Sequence, residues 1–281
     1  MLLNFTFTGE ITGICFLLKD VMLVYSLRES ALEVRIPTPI KGTPLIYLDD
    51  GTLVMEAAFG VIDYHSPCFS YEAGKIKRIG ATDFSYYGTA YPHASGKLMK
   101  IGGISVDYYG TAYPHAVGKP MKIGDTPIGY YGAAHAREAG KLMRLADASV
   151  SYYGAAYPHA IGKIARLGDI SVHYYGTACP NEAGKPMMIG GTAIRYHGTA
   201  FPHEAGKLSR LGNISVTYYG AAFPYEAGKP MRIGDVTLKY YNGGKPYEAG
   251  KLRKAADTLL EYSGENDLCG AGKLKKLRQI H

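Results

Sequence analysis

Residues 97–109 read KLMKIGGISVDYY, and this pattern recurs along most of the chain. Two runs of β-prone residues flank the pair Gly102-Gly103. Later copies carry Gly124-Asp125, Gly168-Asp169, Gly212-Asn213 and Gly234-Asp235 at the same place. Glycine followed by Gly, Asp or Asn is typical of a two-residue hairpin turn, because the backbone there needs positive φ. The sequence therefore predicts one β-hairpin per copy.

The copies are evenly spaced. Gly-Lys pairs begin at Gly74, Gly96, Gly118, Gly140, Gly162, Gly184, Gly206, Gly228, Gly250 and Gly272, each 22 residues after the one before. Tyr-Tyr-Gly keeps the same step at Tyr86, Tyr108, Tyr130, Tyr152, Tyr174 and Tyr218. Ten copies without an insertion indicate a stacked repeat architecture. We predict an all-β fold in which tandem 22-residue hairpins over residues 61–281 form an elongated, coiled or solenoid-like antiparallel sheet, with a degenerate C-terminal copy.

The turn also sets an expected register within each hairpin. One side is expected to hold Ile101, Met99 and Lys97, opposite Ile104, Val106 and Tyr108. The other side is expected to hold Lys100, Leu98 and Gly96, opposite Ser105, Asp107 and Tyr109. The first side is apolar in most copies, so we expect it to be buried and the second to meet solvent or a partner.

The Gly-Lys pair has a structural interpretation in this register. Gly96 would lie under the ring of Tyr109, as in the aromatic rescue of a strand glycine. Lys97 would cover Tyr108 with its stem while its ammonium reaches water, and the cation–π contact would contribute about 0.5–1 kcal/mol. A phosphate-binding loop is excluded, because that motif needs a shorter glycine spacing and a Ser or Thr after the lysine, where this chain has Leu98.

Between hairpins, a proline column predicts corners, because proline fixes φ and lacks an N–H. Its members are Pro92, Pro114, Pro158, Pro180, Pro202 and Pro224. The aromatic residues just before the prolines, Tyr91, Tyr113, Tyr157, Phe201 and Phe223, are expected to tuck into the core. Pro127 falls within a predicted strand and is expected at an edge or a bulge.

The two ends differ from the array. Residues 1–60 lack the clear repeat but are β-prone, and we predict an N-terminal β cap over the first hairpin. Within it, residues 46–56 (IYLDDGTLVME) form a hairpin candidate. At the C-terminus, Lys273, Lys275, Lys276 and Arg278 are expected to protect an open sheet edge, with a basic docking patch as the alternative.

A tyrosine-rich unit that closes in Gly-Lys-Leu or Gly-Lys-Met resembles the YD repeats of RHS-type and Tc-toxin shell proteins. The Tyr-Tyr-Gly, Gly-Lys and Ile-Gly-Asp elements cover roughly residues 64–281. The loop from Tyr to Gly-Lys is longer here, the Asp after Tyr is missing, and Lys replaces Arg. The resemblance implies a curling antiparallel sheet of hairpins. Family members can enclose cargo, but this chain is short for a large closed shell. Choline-binding repeats also use a hairpin and loop, yet they need Trp, and this chain has none.

The composition limits the possible cellular locations and binding partners of the protein. A net charge of +7 permits an anionic partner without requiring one. Cys15, Cys68, Cys179 and Cys269 are far apart, so separate thiols are expected rather than a disulfide framework or a zinc knuckle. The N-terminus lacks the basic start of a signal peptide, and no apolar run is long enough to span a membrane. A cytoplasmic location is the default expectation, with export by a route that needs no signal as the alternative.

The candidate chemistry is sparse. Histidines recur at His93, His115, His159 and His203, and are expected to be solvated surface residues rather than a metal or pH site. The Lys97 column and a basic column of Lys100, Lys122, Arg144, Arg166, Arg210 and Arg232 could bind a polyanion. The favoured interpretation is a solvated face balanced by Glu138, Glu182, Glu204, Glu226, Glu248 and the turn aspartates.

We predict no catalytic, metal or cofactor-binding residues and no cofactor, because no set of distinct groups converges. The sequence favours a non-enzymatic structural or scaffolding repeat protein that presents a Tyr/Lys-rich surface for protein–protein interaction or self-assembly. One alternative is a binding module for an extended polymer, either a glycan or a nucleic acid. A second alternative is a fragment of a toxin-like shell.

Overall fold

The computed structural model describes residues 2–5, 11–18, 21–26, 31–35, 62–66, 71–79, 81–200, 202–264, 272 and 274–279. All regular elements in these ranges are β-strands, as the hairpin pattern predicts. Among the described residues, none forms a helix of the length and apolarity that crossing a membrane requires.

The N-terminal region contains a four-stranded antiparallel sheet. Its strands are β1 (Leu2–Phe5), β2 (Ile11–Leu18), β3 (Val21–Ser26) and β4 (Ala31–Arg35), in that order. Its role as a cap stays a prediction, and the hairpin candidate at residues 46–56 lies outside the described residues.

The remaining strands form the hairpin array. They are β5 (Ile62–Tyr64), β6 (Ile76–Ile79), β7 (Thr82–Tyr86), β8 (Leu98–Ile101), β9 (Ile104–Tyr108), β10 (Pro120–Ile123), β11 (Thr126–Tyr130), β12 (Leu142–Leu145), β13 (Ala148–Tyr152), β14 (Ile164–Leu167), β15 (Ile170–Tyr174), β16 (Pro186–Ile189), β17 (Thr192–Tyr196), β18 (Leu208–Leu211), β19 (Ile214–Tyr218), β20 (Pro230–Ile233), β21 (Val236–Tyr240), β22 (Leu252–Ala255), β23 (Thr258–Tyr262) and β24 (Leu274–Gln279). Each pairs antiparallel with the next, which gives a solenoid-like sheet of regular hairpins, and β24 also comes near β5.

The hairpin turns are confirmed. Ile101 pairs with Ile104 across Gly102-Gly103, and Ile123 pairs with Thr126 across the next turn. The first turn residue has positive φ in these copies, +52° at Gly102 and +54° at Gly124, while the second does not. A glycine that leads with positive φ is typical of a type II′ turn, whose twist suits the flanking strands.

Two turns have alanine instead of glycine at the leading position, Ala146 and Ala256, and the first gives a stability prediction. Ala146 holds the leading position with φ of 53°. We expect Ala146→Gly to raise the free energy of unfolding by about 0.5–1 kcal/mol, because left-handed backbone costs a residue with a Cβ roughly 1–2 kcal/mol and glycine's larger unfolded-state entropy removes part of that gain. Urea unfolding measures the change. Ala148→Gly, in strand β13, is the control and should destabilise; a destabilised Ala146→Gly would contradict the prediction.

The predicted register fails beyond the turn. Within the hairpin only two pairs form, Ile101 with Ile104 and Lys100 with Ser105. Strand β9 then passes to the next hairpin, where Val106 pairs with Ile123. The second strand of each hairpin therefore has two partners. Its first residues pair with the first strand of the same hairpin, and its last residues pair with the first strand of the next hairpin. Pro127 lies in such a strand, opposite Lys122 and just before this change of neighbour.

A β-bulge explains why Met99 does not share a face with Val106. Ser85 pairs with Lys100 and Tyr86 with Leu98, so Met99 is the extra residue between them. The extra residue changes the phase of the two-residue alternation. As a result Leu98 and Ile101 are both buried, whereas Met99 is 37% exposed and Val106 is fully buried. The expectation that Met99 lies on the apolar side is wrong, although the sheet still buries one face.

Candidate functional site

The first tyrosine of each Tyr-Tyr pair closes its own hairpin. Tyr130 is 5% exposed, and its hydroxyl donates to the Pro120 carbonyl at 3.0 Å, which joins β11 to β10. The same bond, always to the carbonyl ten residues back, is made by Tyr86, Tyr152, Tyr174, Tyr196, Tyr218, Tyr240 and Tyr262. We call these residues and Tyr108 the inner tyrosines. They belong to the core and are not available to a ligand.

The second tyrosine joins one hairpin to the next. The hydroxyl of Tyr109 donates to the Ile128 carbonyl at 3.0 Å, and its ring meets the ring of Tyr130 edge to face at 5.7 Å. Equivalent hydroxyl bonds, nineteen residues forward, are made by Tyr87, Tyr131, Tyr153, Tyr175, Tyr219 and Tyr241. We call this set, with Tyr109, the linking tyrosines.

The lysine of each Gly-Lys pair also links neighbouring repeats. The ammonium of Lys97 lies 5.4 Å from the centroid of the Tyr108 ring, which confirms the predicted cation–π contact. That ammonium donates to the Gly118 carbonyl instead of pointing only to water. Burial lowers the pKa of Lys97 and of Lys119. The lysine column is therefore largely occupied by internal bonds, which leaves little of it for an anionic partner.

The glycine before each lysine is needed for this link. Gly96 has φ of +71°, and a Cβ on it would lie 2.8 Å from Nζ of Lys75 in the preceding repeat. Its N–H donates to the Tyr87 carbonyl in the loop. The only other atom within 4 Å of that Cβ position is the backbone carbonyl oxygen of Tyr71. The ring of Tyr109 therefore does not pack over Gly96, and the predicted aromatic rescue is wrong. Glycine is present for its backbone conformation and for the approach of an ammonium.

The lysine link gives a second prediction. We expect Lys185→Met to lower the free energy of unfolding by about 2 kcal/mol, because it removes a charged hydrogen bond to the Gly206 carbonyl (2.6 Å) and a cation–π contact with Tyr196 (5.0 Å). Urea unfolding measures the loss. Lys122→Met, on the exposed sheet face, is the control and should change little. Equal losses in the two variants would contradict the structural role.

The exposed face of the sheet carries two columns. The methionine column consists of the bulged residues Met99, Met121, Met143, Met187 and Met231, each 37–39% exposed. Beside it runs the basic column predicted from sequence, all six of whose members are exposed. Three of its cations lie near an aspartate of their own turn: Lys122 with Asp125, Arg166 with Asp169 and Arg232 with Asp235, at 3.4–3.8 Å. The face is therefore mixed in chemistry, partly apolar and partly charged.

The corner aromatics are exposed instead of buried, which corrects the sequence prediction. Tyr91, Tyr113, Tyr157 and Phe223 are 49–51% exposed, and Phe201 lies outside the described residues. In the three tyrosine loops a small residue is buried instead, since Ala94, Ala116 and Ala160 are fully buried. Each exposed ring contacts a linking tyrosine in a T-shaped pair, for example Tyr113 with Tyr109 at a centroid distance of 5.0 Å.

The other predicted chemical groups do not come together. His93, His115, His159 and His203 are half-buried, and the described part of the chain holds no group of three or more His, Cys, Asp or Glu residues that could bind a metal. Glu248 is 8% exposed, so the predicted solvated face of glutamates is wrong there. Cys179 is a free, half-buried thiol. Arg278 is exposed and pairs with Glu261 at 3.4 Å, while Lys273 and the side chain of Lys276 lie outside the described part.

The fold defines the class as a tandem β-hairpin repeat protein with a solenoid-like β-sheet. No family model matches the chain, and no curated protein matches it significantly. The resemblance to YD repeats therefore stays a prediction.

Proposed function

We propose that this protein is a non-enzymatic structural repeat protein whose exposed sheet face docks on another protein, with a second copy of the chain as the simplest partner. The observation that carries the proposal is the paired methionine and basic columns. They place methionine at the same position of five hairpins, with Ala165 and Ser209 in two others, and a cation at the neighbouring position of most hairpins.

The chemistry of this face suits a protein partner. Methionine adapts its shape to irregular apolar surfaces, which favours contact with a packed side-chain surface. The turn aspartates beside the basic column give each unit both charges, as at Arg232 and Asp235. A face with alternating charges can pair with another copy of itself, since a two-fold interface repeats each contact twice. The same salt bridges weaken the polyanion alternative, because they neutralise half of the basic column.

Sedimentation velocity over a range of concentrations tests the proposal. We expect reversible dimers or larger assemblies, which Met121→Glu/Met143→Glu should dissolve because the double change places carboxylates in the apolar contact. Thr89→Glu, on a loop away from the sheet face, is the matched control and should leave assembly intact. A monomer at all concentrations, or assembly that survives the double change, would overturn the proposed self-association.

A further inference from the structure

Four consecutive loops present an aromatic ring in the same geometry. Tyr91, Tyr113, His135 and Tyr157 lie against the linking tyrosines with ring centroids 5.1, 5.0, 5.0 and 4.9 Å apart and interplanar angles of 65–67°. We call these four residues the outer rings. In the next loop Cys179 replaces the ring, so the row is interrupted there.

The outer rings are held in place by the hairpins beneath them. Each rests on a linking tyrosine whose hydroxyl is bonded to the next hairpin, as Tyr87 is to the Val106 carbonyl at 3.0 Å. A proline follows the ring in three of the four loops, which fixes one backbone angle beside it. Surfaces that are rigid before binding lose less conformational entropy when a ligand arrives. The three tyrosines of the row are nevertheless about half exposed.

The spacing of the row suits an extended polymer. Equivalent residues of successive repeats are two strands apart, about 9–10 Å. In an extended β-linked glycan of glucose type, every second sugar presents the same flat C–H face, and the length of a disaccharide is close to this step. Such a face packs on an aromatic ring, because the C–H hydrogens of the sugar are weakly positive and the face of the ring is negative.

The charge of the loops favours a neutral polymer over a nucleic acid. Residues 88–95, 110–117 and 154–161 contain no Asp, Glu, Lys or Arg, while the His135 loop, residues 132–139, contains Arg137 and Glu138, which together add no net charge. Binding to single-stranded nucleic acid combines stacking with a row of cations that follows the phosphates, and the three tyrosine loops supply no such row. Lys97 does not fill that role, since its ammonium donates to the Gly118 carbonyl. The exposed Thr89 and Thr111 instead offer hydroxyl groups that can hydrogen-bond sugar hydroxyls.

We propose that the outer rings form a binding site for an extended, neutral β-linked glycan, with one sugar ring in every two stacked on each aromatic side chain. The site lies on the loops and is independent of the proposed docking face of the sheet. A hexasaccharide is long enough to reach along three of the rings.

Titration calorimetry with cellohexaose and chitohexaose tests the proposal on the full chain. We expect binding of at least one of the two, and a three- to tenfold weaker affinity for Tyr113→Ala, which is the loss expected for one aromatic contact. Tyr113→Trp should bind more tightly, and Cys179→Tyr should strengthen binding by extending the row. Thr217→Ala, on strand β19, should bind as the unchanged protein does.

The unfolding midpoint of each variant is measured in parallel, which separates a loss of binding from a loss of fold in Tyr113→Ala. Tyr113→Trp keeps an aromatic ring and tests the site even if Tyr113→Ala unfolds. Failure of both hexasaccharides to bind would overturn the proposal. Equal affinity in all the Tyr113 variants, or tighter binding of oligothymidylate than of either sugar, would also overturn it. None of these results bears on self-association through Met121 and Met143, so the two proposals fail separately.

Discussion

Gly118→Ala is expected to lower the free energy of unfolding by about 3 kcal/mol or more. Gly118 has φ of +70°, which costs an alanine roughly 1–2 kcal/mol. Its new Cβ would also lie 2.6 Å from Lys97 Nζ and 2.8 Å from the His93 carbonyl oxygen. The lysine can move away, but only by giving up its bond to the Gly118 carbonyl. The carbonyl of His93 is backbone, so overpacking there costs about 1–3 kcal/mol more.

Gly110→Ala, in the same repeat, is the matched control for that change. A Cβ on Gly110 would meet no atom within 4 Å, and its φ is not positive. We therefore expect an effect within about 0.5–1 kcal/mol, since such a change chiefly alters the entropy of the unfolded chain. Urea unfolding followed by circular dichroism compares the two. Similar losses at the two positions would show that the Gly-Lys glycines have no special backbone role.

Alkaline unfolding is the second large effect that we expect, because the inner tyrosines lose their phenolic protons far more readily when unfolded. Burial raises the pKa of Tyr86 to about 12, with Glu72 adding to the shift. Burial also raises the pKa of Tyr108, Tyr174 and Tyr218, and of Tyr196. A group with a raised folded pKa contributes fully below its unfolded pKa, about 10 for tyrosine, and the contribution is lost as pH rises toward the folded pKa.

The size of this effect follows from linkage. Relative to neutral pH, each such tyrosine has cost about 1.4 kcal/mol by pH 11, so five together cost about 7 kcal/mol at that pH. That loss is comparable to the whole stability of a typical domain, about 5–15 kcal/mol. The lysines have the opposite sign: the lowered pKa of Lys97 and Lys119 makes stability rise with pH, but only up to the ordinary lysine value of 10.5. They therefore do not oppose the loss above that pH.

Tyrosinate absorbance and circular dichroism, recorded together from pH 8 to 12.5, measure the transition. We expect the inner tyrosines to ionise in one cooperative step that coincides with loss of the sheet, at a midpoint between about pH 10 and 12. Tyr174→Phe should reduce the proton release of that step by one. Gradual ionisation of all tyrosines in a sheet that stays folded would contradict the burial of this column.

Most of the fold could be predicted from the residues of the hairpin turns. Glycine-led pairs such as Gly124-Asp125 have few backbone options, so the hairpins could be predicted from two residues. The bulge at Met99 could not, because an extra residue in a strand leaves no fixed local signature and depends on pairing with Ser85 and Tyr86 of another hairpin. The bulge explains why methionine recurs here: the position is exposed, although the residues on either side of it, Leu98 and Ile101, are buried.

The candidate surfaces were harder to predict than the turns, because the exposure of a side chain depends on its contacts with neighbouring hairpins. The contact between Tyr108 and Lys97 is correctly predicted, because the turn brings the two residues to the same end of the hairpin even though they do not pair in the sheet. The sequence could not distinguish a tyrosine that packs inside from one that lies outside, and so Tyr113 was expected in the core. Ala116, three residues after Tyr113, is the residue that the loop buries instead, but Glu226 holds the equivalent position after the exposed Phe223, so the small residue is not a general signal.

The hydrogen bonds from each repeat to the next one along the chain also affect folding during synthesis. The hydroxyl of Tyr109 finds its acceptor nineteen residues ahead, and the ammonium of Lys119 finds its acceptor twenty-one residues ahead. Contacts this close in sequence give a low contact order, which favours rapid folding even in a long chain. During synthesis, each unit would be completed by the arrival of the next, so ordering can advance from the ribosome exit while the rest of the message is still being translated.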